Sequence, residues 1–139
     1  MNIFDKVTRK YFGSRRGLLR YIEFALFQAF TRKFSTYRVL PRQVDRVVFV
    51  CKGNICRSAL AEIVFKEQSE INSASFGLDT TTGCLAHPPI IKTAQKIGYD
   101  LSAHITTYID DFIPELDDLF VCTEPYHLEL LQKRLPKSR

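Results

Sequence analysis

Two residues of this chain have the types and spacing for covalent chemistry on an oxyanion: Cys51 and, six positions on, Arg57. They bracket the string Val50-Cys51-Lys52-Gly53-Asn54-Ile55-Cys56-Arg57-Ser58-Ala59. A cysteine thiolate is a strong nucleophile. A guanidinium can donate two parallel hydrogen bonds to a phosphate, which an ammonium cannot. Gly53 lets the backbone approach a ligand closely. Asn54 is one of the few non-glycine types that tolerate a left-handed conformation, which a sharp loop needs. Ser58 carries a hydroxyl that can reach the sulfur. The expected cradle is Lys52, Gly53, Asn54, Ile55, Cys56 and Ser58, with Cys51 as nucleophile and Arg57 as clamp. Helix N-termini and neighbouring cations lower a thiol from about 8.5 to roughly 3.5–7.5. Such a thiolate can attack phosphorus and split one hard displacement into two easier ones through a phosphocysteine. A lone cysteine at a strand end would be no more than a small apolar residue; the full string is far more specific.

The flanking segments are those that would hold such a loop. Arg46-Val47-Val48-Phe49-Val50 is apolar and rich in β-branched residues, which predicts a buried strand over about 44–51. Residues 58–68 carry apolar side chains three and four apart, which predicts an amphipathic helix. The cysteine therefore closes a strand and the arginine opens a helix, where unsatisfied N–H groups and the helix dipole favour an anion. Further on, strands are expected over 71–76 and 118–122 and helices over 90–97 and 125–134, with 105–109 as a short strand or irregular segment. Alternating strands and helices predict an α/β fold: three layers, a central parallel sheet, right-handed crossovers and the ligand at the carboxyl ends of the strands. Cys51 lies at one such end and Glu124 just past another.

The string closely resembles the signature of the low-molecular-weight protein tyrosine phosphatases, Val-Cys-x-Gly-Asn-Ile-Cys-Arg-Ser. Three later segments extend the resemblance: Ile71-Asn72-Ser73-Ala74, Gly98-Tyr99-Asp100-Leu101-Ser102-Ala103-His104, and Asp117-Asp118-Leu119-Phe120-Val121-Cys122-Thr123-Glu124. The resemblance implies hydrolysis of phosphate monoesters, with phosphotyrosine in proteins as the substrate class and no metal or other cofactor. It assigns Ser73 and His104 to a network with Asn54 behind the loop. It gives Cys56 a reversible disulfide with Cys51, against a small packed side chain as the plainer reading. It also points to a cytoplasmic enzyme whose partner is a phosphorylated protein.

Departures from the family pattern concern the acid and the rim. The family's general acid is an aspartate in an Asp-Pro-Tyr segment that has no counterpart in these 139 residues. The nearest likeness, Glu124-Pro125-Tyr126, falls at the strand-end acidic position, so Glu124 is carried forward both as proton donor and as a residue that orients Arg57. An impaired phosphate- or phosphotyrosine-binding protein is the alternative to an enzyme. Arsenate reduction, on the related thiol loop, is disfavoured because no resolving cysteine follows Cys122. At the rim, Lys52 replaces a residue that is often apolar, and Asp79, six after Ser73, stands where an aromatic wall is expected.

Composition bounds the rest. With 139 residues and 45% hydrophobic content, the chain supports one domain with a real core. Four cysteines at 51, 56, 84 and 122 suggest neither a secreted disulfide scaffold nor zinc spacing. No signal peptide and no membrane-spanning run is read, and no nucleic-acid partner is expected. Charge is uneven: residues 1–46 hold eleven Lys/Arg and three Asp/Glu, a net of +8, whereas residues 47–139 hold nine and twelve, a net of −3. The expected organisation is a basic helical extension over 1–43 and a phosphatase-like α/β domain over 44–139 that lacks the usual C-terminal acid loop. A helix is expected over about 16–33, broken near Pro41, with Leu18, Ile22, Ala25, Leu26 and Ala29 on one face. That face suits packing on the core, or contact with an anionic membrane surface.

Overall fold

A computed structural model describes Thr8, Tyr11, residues 14–31 and residues 44–135. The chain divides into two compact units, 1–39 and 40–139. In the first, helix α1 spans Arg15–Thr31. It starts one residue before the expected point because the Ser14 hydroxyl accepts from the Gly17 N–H at 3.1 Å, a serine N-cap. Leu18 is half-buried, and Ile22, Ala25 and Leu26 are exposed. The expected continuation to residue 33 and the break near Pro41 lie outside the described residues. Among the described residues no helix is long and apolar enough to cross a membrane.

In the second unit the β-branched run becomes β1 (Arg46–Cys51), followed by α2 (Arg57–Gln68), β2 (Asn72–Gly77), α3 (Pro88–Lys96), β3 (Asp118–Cys122) and α4 (Pro125–Arg134). Both neighbours pair in parallel with β1, giving the order β2-β1-β3. Strand alternation sorts β1 between two layers. Val48 and Val50, fully buried, join Phe76, Leu78, Ile109 and Leu131 on one face. On the other face Phe49 meets Phe65 of α2 edge-on at 5.6 Å. A second cluster of Ala59, Ala86, Ala94 and Leu101 joins α2 to α3.

One local reading needed correction, and the choice left open at 105–109 falls to the irregular segment. Pro88 and Pro89 form the first turn of α3 rather than preceding it, because a missing N–H costs nothing in a first helical turn. Residues 105–109 make no continuous strand. They contribute two isolated bridges, Leu85 to Ile105 and Gly77 to Tyr108, and run into a 3₁₀ turn at Ile109–Asp111.

The end of the sheet away from Cys51 is tied by a part-buried ion pair. Arg46 and Asp118 face each other in register as the first residues of β1 and β3. The guanidinium donates twice to Asp118, from Nε and Nη2, each at 2.7 Å, reaches Glu115 at 2.7 Å, and lies 5.2 Å from the Phe112 ring centre.

Candidate active site

Parallel pairing aligns Cys51 with Gly77 at the carboxyl end of the sheet. The loop 52–56 then turns back to begin α2, and it is pinned from both sides. The Leu78 N–H donates to the Cys51 carbonyl at 3.0 Å, and the Asp79 N–H to the Lys52 carbonyl at 2.8 Å. The His87 N–H donates to the Ile55 carbonyl at 2.9 Å, so the turn into α3 holds the far side of the loop. Asn54 adopts φ +52°, the left-handed conformation expected of it. Gly77 is the crowded glycine. A Cβ there would lie 3.0 Å from the Asn54 nitrogen and 3.0 Å from the Gly53 carbonyl carbon, both backbone atoms that cannot swing away. At Gly53 a Cβ would meet only the Ile55 side chain, at 3.5 Å. The protein's own packing thus demands glycine at 77, and the need at 53 is left to a ligand.

Cys51 is 2% exposed, and its sulfur is met by two groups. The Asn54 N–H donates to Sγ at 3.2 Å, and Ser58 Oγ lies 3.0 Å from it. The direction of the second contact follows from the next one. Asn54 Nδ2 donates to Ser58 Oγ at 3.0 Å and to Ser75 Oγ at 2.7 Å. Ser58 thus accepts from Asn54 and has its proton free for the sulfur. Ser75 passes its own proton to Glu62 Oε2 at 2.5 Å. Asn54 Oδ1 accepts from the Thr107 N–H at 2.8 Å, and the Asn54 carbonyl is bonded to His104 Nε2 at 2.8 Å. The segment 98–104 brings His104 there: Leu101 is buried, and the Leu101 carbonyl caps a turn by accepting the His104 N–H.

The network corrects one assignment. Ser73 is not its strand member, for its buried hydroxyl finds no partner among the described residues. Ser75 takes the place, on the same face of β2 but two residues nearer the carboxyl end, level with the loop. The face was right and the register two residues short. Asp79, six after Ser73, has its carboxylate paired with Lys52 at 3.4 Å, both side chains being mostly exposed.

Arg57, the first residue of α2, is half-exposed and paired to Glu124, the residue that caps α4. That pairing holds the Glu124 carboxyl below the usual carboxylate range. A group held as the anion accepts hydrogen bonds, so the geometry sets Glu124 to orient Arg57 and speaks against its use as a proton donor. Cys56 is half-buried at the N-cap of α2, and burial, with the neighbouring Cys51, pushes its thiol up. Burial alone pushes the Cys122 thiol up to about 11. All four cysteines are free. The first turn of α2 carries N–H groups with no helical partner one turn back, and it begins six residues after a buried sulfur.

Several participants went unread in the sequence. Ser75 and Gly77 lie in the strand Ser73-Ala74-Ser75-Phe76-Gly77, where two serines share one face and only depth separates them. Glu62, five after Arg57 on α2, received no role from the sequence and accepts the Ser75 hydroxyl. His127, assigned no role from the sequence, is 2% exposed.

A family model described as low molecular weight phosphotyrosine protein phosphatase matches residues 46–139. The chain belongs to this family. The low molecular weight protein-tyrosine-phosphatase Wzb of Escherichia coli K12 is 31% identical over 96 residues, covering 68% of this chain and 65% of that protein. The chain thus spans just under two thirds of this relative's length. The solved structure of the tyrosine phosphatase Wzb from Escherichia coli K30 in complex with sulphate superposes with a TM-score of 0.58 at 28% identity, covering 66% of this chain and 64% of that one. An arsenate reductase of Staphylococcus haemolyticus is 35% identical over a shorter stretch of 77 residues, 54% of this chain and 56% of that protein.

Proposed function

We propose that this chain hydrolyses phosphate monoesters, with phosphotyrosine in proteins as the substrate class, through a phosphocysteine. The observation that carries the reading is the convergence of the Asn54 N–H and the Ser58 hydroxyl on Cys51 Sγ, at the mouth of a loop that opens a helix with Arg57. A sulfur anion held there is stabilised before substrate arrives. Sγ attacks phosphorus, an S–P bond forms and the ester P–O bond breaks. Arg57 and the loop N–H groups meet the equatorial oxygens as charge spreads over them. Water then attacks phosphorus, the S–P bond breaks, and inorganic phosphate leaves with the thiolate restored. The related Wzb structure is a complex with sulphate, a tetrahedral dianion of the shape of phosphate, which supports oxyanion binding by a chain of this family.

One observation favours a second reading. Glu124 is committed as an anion to Arg57, so a poor leaving group receives its proton from none of the side chains described at the loop. General acid catalysis is typically worth 10²–10⁴-fold. A chain without it binds phosphate esters and turns over only reactive ones, as a capture or regulatory protein would. Arsenate reduction fits less well, since it needs a second reactive thiol, and partial burial pushes the Cys122 thiol up to about 11.

The test is phosphate release from a phosphotyrosine peptide and from p-nitrophenyl phosphate, beside Cys51→Ser. Turnover of both, lost in the variant, is the expected result. Release from p-nitrophenyl phosphate alone selects the binding reading. Neither release nor a trapped phosphocysteine removes the phosphatase assignment.

A further inference from the structure

The search for a further role converges on the imidazole behind the Arg57–Glu124 pair. His127 sits in the first turn of α4, 2% exposed. Its ring Nδ1 lies 3.1 Å from Thr123 Oγ1, and the backbone N–H of residue 127 donates to the Glu124 carbonyl at 3.0 Å. Thr123 in turn donates its N–H to the Val50 carbonyl at 2.9 Å, one residue before the nucleophile. A side chain in a first helical turn points back along the helix, which is why 127 can reach 123. Burying an imidazole costs free energy unless its polar atoms are bonded, and a leucine would fill the same space without that cost. Among the described residues the ring's polar partner is Thr123. The buried ring therefore serves the two-residue bridge Thr123-Glu124, which joins the end of β1 to the guanidinium.

We propose that His127 is a positioning residue for phosphate binding: its ring fixes Thr123, the residue that precedes Glu124, and through it the direction in which Arg57 is presented to the loop. The proposal rests on reading the loop as an oxyanion site. His127 acts on the clamp and leaves the nucleophile alone, since the hydrogen bonds on Cys51 Sγ come from Asn54 and Ser58. Burial holds the imidazole below its ordinary pKa, against the pull of Glu124, so near neutral pH it is an uncharged tie and no rival to Arg57 for that carboxylate.

The test uses the full chain and inorganic phosphate as probe. Phosphate affinity is measured by calorimetry, and the rate of iodoacetamide alkylation of Cys51, without phosphate, by mass spectrometry. His127→Leu should weaken phosphate binding roughly five- to tenfold, the effect of one lost hydrogen bond on a charged partner's placement, with Cys51 alkylation unchanged. His127→Asn places an amide where Nδ1 stood and should recover affinity to within about twofold of the parent. If His127→Leu does not unfold cooperatively, Thr123→Val decides: it removes the same bond from the other end and should lose phosphate affinity to the same extent. Parental affinity in a folded His127→Leu or Thr123→Val, or no recovery in His127→Asn, overturns the proposal while leaving the oxyanion site standing. A parent protein that binds no phosphate sinks the site itself and the proposal with it.

Discussion

The back and the mouth of the loop are built from opposite materials. Behind it, Asn54 and Ser58 are fully buried and Ser75 nearly so, and Asn54 spends its side-chain amide and its carbonyl on four different residues. In front, the charged side chains work in pairs open to water, Arg57 with Glu124 and Lys52 with Asp79. Buried polar networks are costly when broken, because each orphaned group keeps its desolvation penalty. Exposed ion pairs contribute about 0–1 kcal/mol and are easily exchanged for a ligand. The back fixes shape through folding, and the mouth stays ready to trade its partners for phosphate.

Asn54→Ala strikes the back and should have the largest effect. It removes the donor to Ser58 and Ser75 and the acceptor for the Thr107 N–H, and places alanine at φ +52°. Urea unfolding should show a loss of about 3 kcal/mol or more, with phosphate binding abolished. An Asn54→Ala protein of parental stability would erase the distinction drawn between the two regions. Gly77→Ala probes the same wall by crowding. A methyl 3.0 Å from two loop backbone atoms must push the loop, at a cost of about 1–3 kcal/mol.

How much of this was legible in the sequence divides along the same line. The loop itself was readable because its residues are contiguous: Cys51 to Ser58 is one continuous string between a strand and a helix. The parallel sheet and the α4 boundaries followed from alternating strand and helix patterns and from a proline just inside a helix start, whereas the strand order came from the structure. The back depends on depth, and depth is long-range. Ser73 and Ser75 obey the same alternation, and only pairing with β1 shows which is level with Asn54. Glu62 and His127 became visible only when their elements were packed. Arg46 and Asp118 are 72 positions apart and meet because parallel pairing brings the two strand starts together.

Arg57→Lys sharpens the comparison at the mouth. Charge is kept while the fork is lost, so phosphate affinity and turnover should fall roughly 10²-fold, with the unfolding midpoint in urea moving little because the site is half-exposed. A stability loss as large as that of Asn54→Ala would show that the mouth also carries the fold.

Glu124→Gln should have a smaller effect, and its sign with pH can be worked out. Arg57 holds the folded-state carboxyl below the usual range, so the pair stabilises the fold above the unfolded value of about 4.3. That contribution is lost as pH falls through the lower folded-state value. Half-exposure limits it to about 1 kcal/mol or less. The parent and Glu124→Gln should therefore differ slightly in urea stability at pH 7 and converge under strong acid.

The smallest stability effect belongs to Lys52 and Asp79, whose side chains are 65% and 75% exposed. Lys52→Ala should leave the unfolding midpoint within about 0.5 kcal/mol of the parent. Its effect should appear instead in substrate choice, because the ammonium stands one residue from the nucleophile with only an exposed carboxylate to hold it. Without Lys52 the Asp79 charge is left uncompensated at the rim, and KM should rise more for phosphopeptides with acidic neighbours than for those with basic ones. Raising the salt should shrink that difference, since charges open to water are screened over roughly 8–10 Å. If the preference instead survived at high salt, Lys52 would be acting through shape, and the mouth would share the fixed character of the back.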